Sequence, residues 1–487
     1  MRDYLLLYVN GHRHEIRGQR AFGSLSDFLR YDLRHTGTKV VCAEGDCGSC
    51  SVLIGRPEND RLAYRAVTSC IQFLYQLDGA HVITVEGLRQ SDGELHPVQD
   101  AMVKCHGAQC GYCTPGFVVA MSGLYEEAAG DVATLSETTL RCGLVGNLCR
   151  CTGYEAILKA GLSVNAADVK RANTLYPPAS IVTDIQSTCA TAAELKGDDD
   201  RVAFLPASLI DALQFKADHP DCIPFAGGTD LGVQINKGRR EPMEVLVLTR
   251  LPELREVRAT AAELSFGASA TWTTLERLCE RELPELATML SRFASPPIKN
   301  AGTIGGNIAN GSPIADSMPA FYVLGAKIEL ASIRGKRLVD INDFFTGYKR
   351  TVMTADEIIT RVVLPKTQPG ELLRLYKISK RHDLDISTLT AAFLLQRDGD
   401  RVLSIRIALG GVAGNVVRLP DVEAWLTGKP IDEKTFAQAG AMAAEQIKPI
   451  SDVRGSAAYR SRLAANLFAK FASELDENKA HTNGKHL

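Results

Sequence analysis

Apolar residues at the start of the chain fall into two short runs separated by Asn10-Gly11. Residues 4–9 and 12–16 have the length and composition of β-strands, and Asn-Gly between such runs is a strong signal for a two-residue hairpin turn. Residues 24–34 follow with helical spacing and a serine near the start that can act as N-cap. This order predicts a small β-rich domain.

The pattern changes several times further along the chain. Residues 117–140 are rich in Ala, Leu and Glu and predict helix, whereas residues 160–200 lack sustained apolar periodicity and predict a linker. Strand-like runs then alternate with helical stretches, and residues 388–473 predict strands followed by helices. The predicted divisions are domains at 1–86 and 87–165, a linker at 166–197, domains at 198–368 and 369–473, and a disordered tail at 474–487.

Composition and charge exclude several classes of protein. The chain has 487 residues, a formal charge of −2 and 13 cysteines. The odd, sparse cysteine count is unlike that of a small secreted disulfide scaffold, and the mixed charge offers no nucleic-acid footprint. The apolar run Leu5–Val9 is too short for a signal peptide, and no stretch has the length of a membrane span. We therefore predict a cytoplasmic protein with reduced thiols.

Three of these thiols lie in one glycine-containing stretch, VCAEGDCGSC at 41–50. The spacing Cys42-x4-Cys47-x2-Cys50, with Cys70 further on, is typical of a plant-type [2Fe-2S] loop. Glycines in the loop allow positive φ and let backbone N–H groups approach sulfur. The alternatives are structural zinc, which usually pairs CxxC with a second CxxC or with histidines, and four incidental buried cysteines.

A second set of thiols comes from two further loops. CHGAQCGYCTPG contains Cys110-x2-Cys113, and GNLCRCTGY contains Cys149-x-Cys151. Thr114 is a candidate cap for a following helix with Pro115 at its first position. Four thiolates can hold a second iron–sulfur cluster, and zinc stays open on ligand count alone.

The remaining cysteines have no such pairing. We interpret them as small buried or half-buried hydrophobic residues. They are Cys105, Cys142, Cys189, Cys222 and Cys279.

Two glycine-rich loops occur in the third predicted domain. The first, PFAGGTDLG at 224–232, follows a short strand and opens a helix, which suits either a phosphate site or an ordinary turn. The second, AGTIGGNIANGSPIADSMP at 301–319, is dense in Gly, Thr, Asn and Ser and suits a backbone lying against a polar ligand.

The segments CAEGDCGSC, QCGYCTPG and GNLCRCTGY closely resemble the paired-cluster region of the molybdenum hydroxylases, the family of xanthine dehydrogenase and aldehyde oxidase. The resemblance covers nearly the whole chain. It implies a multi-domain α+β protein with a β-grasp plant-type [2Fe-2S] ferredoxin domain and an α-helical [2Fe-2S] domain. A vanillyl-alcohol-oxidase-like α+β FAD-binding domain and a small C-terminal α/β domain follow.

The same resemblance assigns residues to FAD. The first glycine loop would hold the pyrophosphate, the second would bind further along the cofactor, and a tyrosine would lie over the flavin ring. The residues are Glu44, Gly45, Pro224, Phe225, Ala226, Gly227, Gly228, Thr229, Asp230, Leu231, Phe293, Thr303, Ile304, Gly305, Gly306, Asn307, Asp316, Tyr348, Ile359 and Lys377.

The segment SKRHDLDIS at 379–387 resembles a family segment near the flavin. Arg381 and Asp385 match it, whereas residues 382–384 differ. The alternative for the matching residues is a solvated surface pair.

By this resemblance the chain carries electrons and needs no catalytic side chain. Electrons would pass from a molybdenum cofactor on a large partner subunit, within an α2β2 heterotetramer, through the second cysteine set and then the first to FAD. FAD would reduce NAD⁺ while hypoxanthine or xanthine is oxidised to urate. The alternatives are an aldehyde-oxidising relative and a zinc-stabilised assembly subunit without a redox role.

Overall fold

The computed structural model describes residues 1–90, 93–128 and 133–483, whose strands form four main sheets and a two-stranded ribbon. Within these ranges, no helix is both long and apolar enough to cross a bilayer.

A mixed sheet of five strands forms the first domain. The strands are β1 (Leu5–Val9), β2 (His12–Ile16), β3 (Ser51–Glu58), β4 (Arg61–Thr68) and β5 (Ala80–Ile83). Their order is β2-β1-β5-β3-β4, with β1 antiparallel to β2 and parallel to β5. Asn10 and Gly11 both have positive φ, 48° and 82°, as a tight hairpin turn requires. The predicted hairpin is therefore confirmed.

One helix crosses this sheet. It begins as α1 (Leu25–Asp27) and continues as a π-helical turn over Phe28–Asp32. The Ser24 hydroxyl caps it by accepting the Asp27 N–H at 3.1 Å. Leu29 packs into the sheet core. Sheet and helix together form the predicted β-grasp domain.

The second domain is helical. Its helices are α2 (Pro97–Lys104), α3 (Thr114–Glu127), α4 (Glu137–Gly143) and α5 (Glu155–Ser163). The predicted helical region 117–140 is thus confirmed over most of α3 and the start of α4, and its residues 129–132 lie outside the described residues. The predicted cap is also displaced by one residue, because Cys113 is the N-cap and Thr114 is the first helical residue.

The predicted linker at 166–197 is largely ordered secondary structure, which corrects the prediction. It contains α6 (Ala172–Leu175), α7 (Pro178–Cys189) and β6 (Ala193–Lys196). Ile181 and Ile185 of α7 are buried in the core shared with the second domain, and the Tyr8 hydroxyl donates to Asp184 at 2.7 Å. A helix this short carries too few apolar positions to show periodicity in the sequence.

The third domain contains two sheets. Its further strands are β7 (Val202–Leu205), β8 (Ile223–Phe225), β9 (Glu244–Val247), β10 (Val257–Ala259), β11 (Glu263–Gly267), β12 (Lys327–Ser332), β13 (Gly335–Asp340), β14 (Phe345–Gly347), β15 (Arg350–Thr351) and β16 (Ile358–Pro365). One sheet has the order β6-β7-β9-β8, the other β10-β11-β16-β12-β13, and β14 and β15 form a separate ribbon.

Eight helices belong to the described part of this domain. They are α8 (Leu209–Asp218), α9 (Leu231–Asn236), α10 (Trp272–Glu282), α11 (Pro284–Ser291), α12 (Pro296–Lys299), α13 (Ile304–Asn310), α14 (Met318–Leu324) and α15 (Ile341–Phe344). The helix predicted after the first glycine loop is confirmed as α9. The segment 301–319, predicted as one loop, instead contains α13 and the start of α14, because the Thr303 hydroxyl caps α13 by accepting the Gly306 N–H at 3.1 Å.

The last domain has four antiparallel strands covered by helices. The elements are β17 (Glu371–Ile378), β18 (Leu389–Asp398), β19 (Arg401–Gly410), β20 (Val417–Arg418), α16 (Pro420–Leu426), α17 (Glu433–Gln446) and α18 (Ala457–Asn483). The prediction of a disordered tail from Glu474 is wrong for residues 474–483, because α18 continues to Asn483. Leu475 is buried in the domain core, and the Tyr376 hydroxyl donates to Glu474 at 2.8 Å. Residues 484–487 lie outside the described residues.

Candidate cofactor sites

The first cysteine set lies in a glycine bend covered by other segments. Gly45 and Gly48 have φ of +78° and +68°, which favours glycine at both positions. Cys50 and Cys70 are each only 2% exposed, and Cys42 and Cys47 are half-buried. The bend therefore brings four thiols from two chain segments together away from solvent.

The four thiols of this set interact directly. Hydrogen bonds from the Cys47 and Cys70 thiols lower the pKa of Cys42, and a hydrogen bond from Cys70 lowers the pKa of Cys50. The Glu44 N–H also points at the Cys42 sulfur, 3.5 Å away. The same hydrogen bonds raise the pKa of Cys47 and of Cys70. The lowered pKa of Cys42 and Cys50 favours the thiolate, which is the form that binds metal.

The second set is formed by thiols paired across two loops. Cys110 and Cys151 have their sulfurs 3.5 Å apart, and Cys113 hydrogen-bonds to Cys149. The first pair is exposed, whereas Cys149 is buried and Cys113 is half-buried. The four cysteines chosen from their spacing thus meet in the structure, and each sulfur contact joins one loop to the other.

Local contacts act differently on two thiols of the second set. Burial alone would raise the pKa of Cys149, but hydrogen bonding by Thr152, whose Oγ1 lies 3.2 Å from the sulfur, lowers it. Burial raises the pKa of Cys113 to about 12. The pKa values of these two neighbouring thiols are therefore shifted in opposite directions.

Neither set forms a closed cage for a single ion. Within residues 1–90, 93–128 and 133–483, no three His, Cys, Asp or Glu side chains are arranged to hold one metal ion. In the first set the thiol contacts run from Cys47 to Cys42, Cys70 and Cys50, and in the second set they form two pairs. A [2Fe-2S] cluster takes two thiolates on each iron.

Backbone contacts join the two cysteine sets. The Leu148 N–H donates to the Cys47 carbonyl at 3.0 Å, and the Asn147 amide donates to the Gly48 carbonyl at 3.1 Å. A Cβ on Gly116 would stand 2.3 Å from that same carbonyl oxygen. The two loops are therefore in direct contact, and the Leu148 hydrogen bond lies one residue before Cys149 of the second set.

The first cysteine loop also contacts the third domain. Asn236, at the end of α9, donates to the carbonyls of Ala43 and Cys70, both at 2.8 Å. Lys237 forms an ion pair with Glu44. The helix that follows the first glycine loop thus ends on the first cysteine loop.

The two glycine loops of the third domain touch each other. A Cβ on Gly227 would stand 2.1 Å from the Ala301 carbonyl oxygen, and one on Gly302 would stand 3.3 Å from the Thr229 hydroxyl. Gly228 has φ of +71°. Only residues without Cβ allow this approach, so the loops form one backbone-lined surface.

Three predicted FAD residues have side chains in hydrophobic cores. They are Phe225, Ile304 and Ile359. Phe225 packs edge-on against Tyr75 with ring centroids 5.0 Å apart. Their apolar side chains fill the domain interior, so these residues offer only backbone groups to a ligand.

A buried charged group lies near the end of the second loop. Asp316 accepts hydrogen bonds from the Lys377 ammonium and the Ser387 hydroxyl, both at 2.5 Å. Burial raises the pKa of Asp316, although Lys377 acts in the opposite direction. The structure therefore joins two predicted residues, and Ser387 adds a third partner.

Other predicted residues lie at the surface or at its edge. Tyr348 is 62% exposed in the turn between β14 and β15, and the neighbouring Lys349 lies beside the end of α13. Phe293 is half-buried against Trp272, with centroids 4.6 Å apart. Exposed Arg381 pairs with Asp385 at 3.6 Å, which fits the surface-pair alternative.

The remaining loop residues are accessible or make local contacts. Pro224, Asp230 and Gly306 are exposed, and Ala226 and Leu231 are half-buried. Gly305 packs against Ala268, and Asn307 accepts a hydrogen bond from Ser317 at 3.0 Å.

The unpaired cysteines follow the prediction except at one position. Cys222 and Cys279 are buried, and Cys105 and Cys189 are half-buried, with Cys105 lying 3.7 Å from the Ser163 hydroxyl. Cys142 is exposed on α4, which corrects its prediction as a buried or half-buried residue. It occupies the solvent side of a short surface helix.

Several buried polar atoms near the cysteines indicate whether these sites suit an iron–sulfur cluster. Thr68 Oγ1, Gln72 Nε2 and Thr114 Oγ1 are buried and have no hydrogen-bond partner in the described part of the chain. Each belongs to a residue within two positions of Cys70 or Cys113. A buried donor without an acceptor costs about 1–3 kcal/mol, and thiolate and sulfide sulfurs can accept such bonds. The donor set fits an iron–sulfur cluster.

Several site residues gave little or no signal in the sequence. Asn236, Lys237 and Ser387 are brought to the site by tertiary packing alone. Thr152 lies within GNLCRCTGY, so its position beside Cys149 could have suggested a contact with sulfur.

Three family models match the chain. A "[2Fe-2S] binding domain" matches residues 84–162. An "FAD binding domain in molybdopterin dehydrogenase" matches residues 199–367. A "CO dehydrogenase flavoprotein C-terminal domain" matches residues 374–475.

Curated relatives match nearly the whole chain. A xanthine dehydrogenase of Drosophila pseudoobscura pseudoobscura is 31% identical over 528 residues, covering 96% of this chain and 39% of the relative. A xanthine dehydrogenase/oxidase of Rattus norvegicus is 29% identical over 521 residues, again covering 96% of this chain and 39% of the relative. The chain thus spans about two fifths of the length of these relatives.

Solved structures match about half of the chain. Quinoline 2-oxidoreductase from Pseudomonas putida 86 is 31% identical with a TM-score of 0.52, covering 56% of this chain and 94% of that one. Carbon monoxide dehydrogenase from Hydrogenophaga pseudoflava is 28% identical with a TM-score of 0.52, covering 55% and 93%.

Proposed function

Because this chain belongs to the molybdenum hydroxylase family and carries its [2Fe-2S]- and FAD-binding domains, we propose that it is the electron-transfer subunit of a xanthine dehydrogenase. Cys110, Cys113, Cys149 and Cys151 would hold one cluster, and Cys42, Cys47, Cys50 and Cys70 the other. The glycine loops, with Asp316 and Lys377, would hold FAD. When bound, these groups supply one-electron transfer and, at the flavin, hydride exchange with NAD⁺.

The observation that best supports this proposal is that the two cysteine sets and the glycine loops lie next to one another. Leu148 hydrogen-bonds to Cys47 at 3.0 Å between the two cysteine sets, and Asn236 joins the first set to the helix after the glycine loop. This order of neighbouring sites suits electron transfer that begins at the exposed second set and ends at the flavin. The chain's own contribution is to hold the sites at fixed separations.

The partner, substrate and acceptor are parts of the same proposal. A large subunit carrying the molybdenum cofactor, in an α2β2 assembly, would oxidise hypoxanthine and xanthine to urate in the cytoplasm. Two findings support this. The curated relatives are named xanthine dehydrogenase, and the similar carbon monoxide dehydrogenase was solved in a form that lacks the Mo-pyranopterin moiety of the molybdenum cofactor. An aldehyde-oxidising relative would use the same electron chain with a different partner.

Cofactor content and flavin bleaching test the proposal in the purified chain. Two clusters require about four iron and four acid-labile sulfide per chain, together with one FAD. NADH added without oxygen should bleach the flavin, because hydride exchange needs only the flavin and its surroundings. Xanthine should be oxidised only after a molybdenum subunit is added.

Three results would contradict parts of the proposal. Stoichiometric zinc without labile sulfide would favour the non-redox assembly subunit. Xanthine turnover by the chain alone would refute the division between subunits. A flavin that NADH leaves unbleached in an FAD-loaded sample would exclude NAD⁺ as the acceptor.

A further inference from the structure

A threonine hydroxyl lies close to each cysteine set. Thr68, at the end of β4, is 1% exposed, and its hydroxyl has no hydrogen-bond partner in the described ranges. Thr152 lies in the loop of the second set, with its hydroxyl 3.2 Å from the Cys149 sulfur. The two residues come from different domains and belong to different sets.

Strand pairing and the first cysteine loop fix the surroundings of Thr68. Its backbone pairs with Ser51 at the end of the β3–β4 ladder. The Thr68 hydroxyl lies 3.4 Å from the position that a Cβ on Gly45 would take, and the Gly45 N–H donates to the Cys70 sulfur. Thr68 therefore offers a buried O–H beside the segment that presents N–H groups to sulfur.

The direction of the Thr152 hydrogen bond follows from its neighbours. Its hydroxyl oxygen already accepts the Tyr154 N–H at 3.2 Å, so its own proton remains free to be donated. A cysteine that binds iron is a thiolate without a proton, so in the contact between these two side chains the Thr152 hydroxyl is the donor and the Cys149 sulfur the acceptor. Tyr154 is held in turn by accepting the Cys149 N–H on its hydroxyl at 3.1 Å.

We propose that the Thr68 and Thr152 hydroxyls each donate a hydrogen bond to a sulfur of the cluster held by their own cysteine set, raising that cluster's reduction potential. Reduction adds one electron, and a hydrogen bond to sulfur stabilises the added negative charge while the proton stays on the threonine oxygen. This inference rests on the proposed ligand assignment. It adds one potential-setting residue for each cluster.

Substitutions that keep the side-chain shape test the effect of each hydroxyl separately. Thr68→Val and Thr152→Val keep the side-chain shape and remove the donor. Redox titration of the full chain, followed by EPR, should show the equilibrium constant for reduction of one cluster falling about five- to tenfold, tenfold being about 59 mV for one electron. Thr68→Val should shift only the cluster whose signal Cys47→Ser removes, and Thr152→Val only the other.

Serine variants and measurements of iron and sulfide content are the controls for this test. Thr68→Ser and Thr152→Ser retain the hydroxyl and should restore the original potentials. If Thr68→Val does not fold, Thr68→Ala compared with Thr68→Ser carries the same test. Iron and sulfide are measured first in the unmodified chain, because their absence there would refute the proposed function. Full iron with unchanged potentials, or equal shifts at both clusters from either valine, would overturn this inference alone.

Discussion

The two cysteine sets share chemistry and differ in how the chain covers them. The first lies between domains, under the loop of the second set and against α9, with Cys50 and Cys70 buried. The second has Cys110 and Cys151 exposed. Short local motifs specify thiols equally well in both places, but only the tertiary fold decides which set faces solvent. An exposed set suits exchange with a partner, and a covered one suits transfer within the chain.

Removing a proposed ligand should have the largest effect and should separate the two sets. Cys47→Ser removes a thiolate from the first set only, so one EPR signal of the reduced protein should disappear or change while the other persists. Cys105→Ser is the matched control, because Cys105 contacts Ser163 rather than the four paired thiols. Loss of a signal in the control would show that Cys105 is a ligand.

Thiol reactivity in the iron-free protein should differ by about an order of magnitude or more between the sets. Cys110 is exposed, and a hydrogen bond from the Tyr112 N–H lowers its pKa, which favours the reactive thiolate. Cys50 and Cys70 are buried. Timed alkylation followed by peptide mass spectrometry should label Cys110 before Cys50 and Cys70. Equal rates would mean that the first set is not covered in solution.

Glycine substitutions compare how closely neighbouring residues pack against the two cysteine sets. Gly48 and Gly153 have nearly the same φ, +68° and +65°. A Cβ on Gly48 would stand 2.4 Å from the Gly146 carbonyl oxygen, whereas one on Gly153 would have no atom within 4 Å in the described structure. Both alanine variants carry a backbone cost of about 1–2 kcal/mol, and Gly48→Ala adds a steric clash.

The expected result is a clear difference in the free energy of unfolding. Gly153→Ala should lower it by about 1–2 kcal/mol. Gly48→Ala should lower it by about 1–3 kcal/mol more, as overpacking does, and should release the first cluster. Denaturation followed by the visible absorption of the clusters measures both. Similar values for the two variants would argue against close contact between the loops.

The smallest effect is expected where the first set meets the third domain. Asn236→Ala removes two hydrogen bonds to loop carbonyls, which should lower the free energy of unfolding by about 1 kcal/mol and alter only the first cluster's EPR spectrum. Gln234→Ala is the control on the same helix, because Gln234 contacts Asp230 instead. A change in the second cluster's spectrum would contradict the separation of the two sets.

Local signals in the sequence predicted the chemistry well and the packing less well. The hairpin at Asn10-Gly11 was predictable because positive φ at both turn residues is a local requirement. The paired thiols were predictable because each pair needs a short chain separation. By contrast, α7 in the supposed linker and the end of α18 were missed. Their few apolar residues are stabilised by distant strands and helices, which a local window does not contain.

The sequence by itself determined which atoms are available: eight thiols at suitable spacing, glycines where the backbone must approach a neighbour, and domains in a particular order. Only the tertiary structure decided that Phe225, Ile304 and Ile359 turn their side chains into cores while Asn236 reaches the first cysteine loop. The physical reason is that burial depends on residues far apart in the chain. A local pattern specifies conformation, whereas exposure, hydrogen-bond partners and the separation between sites arise when distant segments pack together.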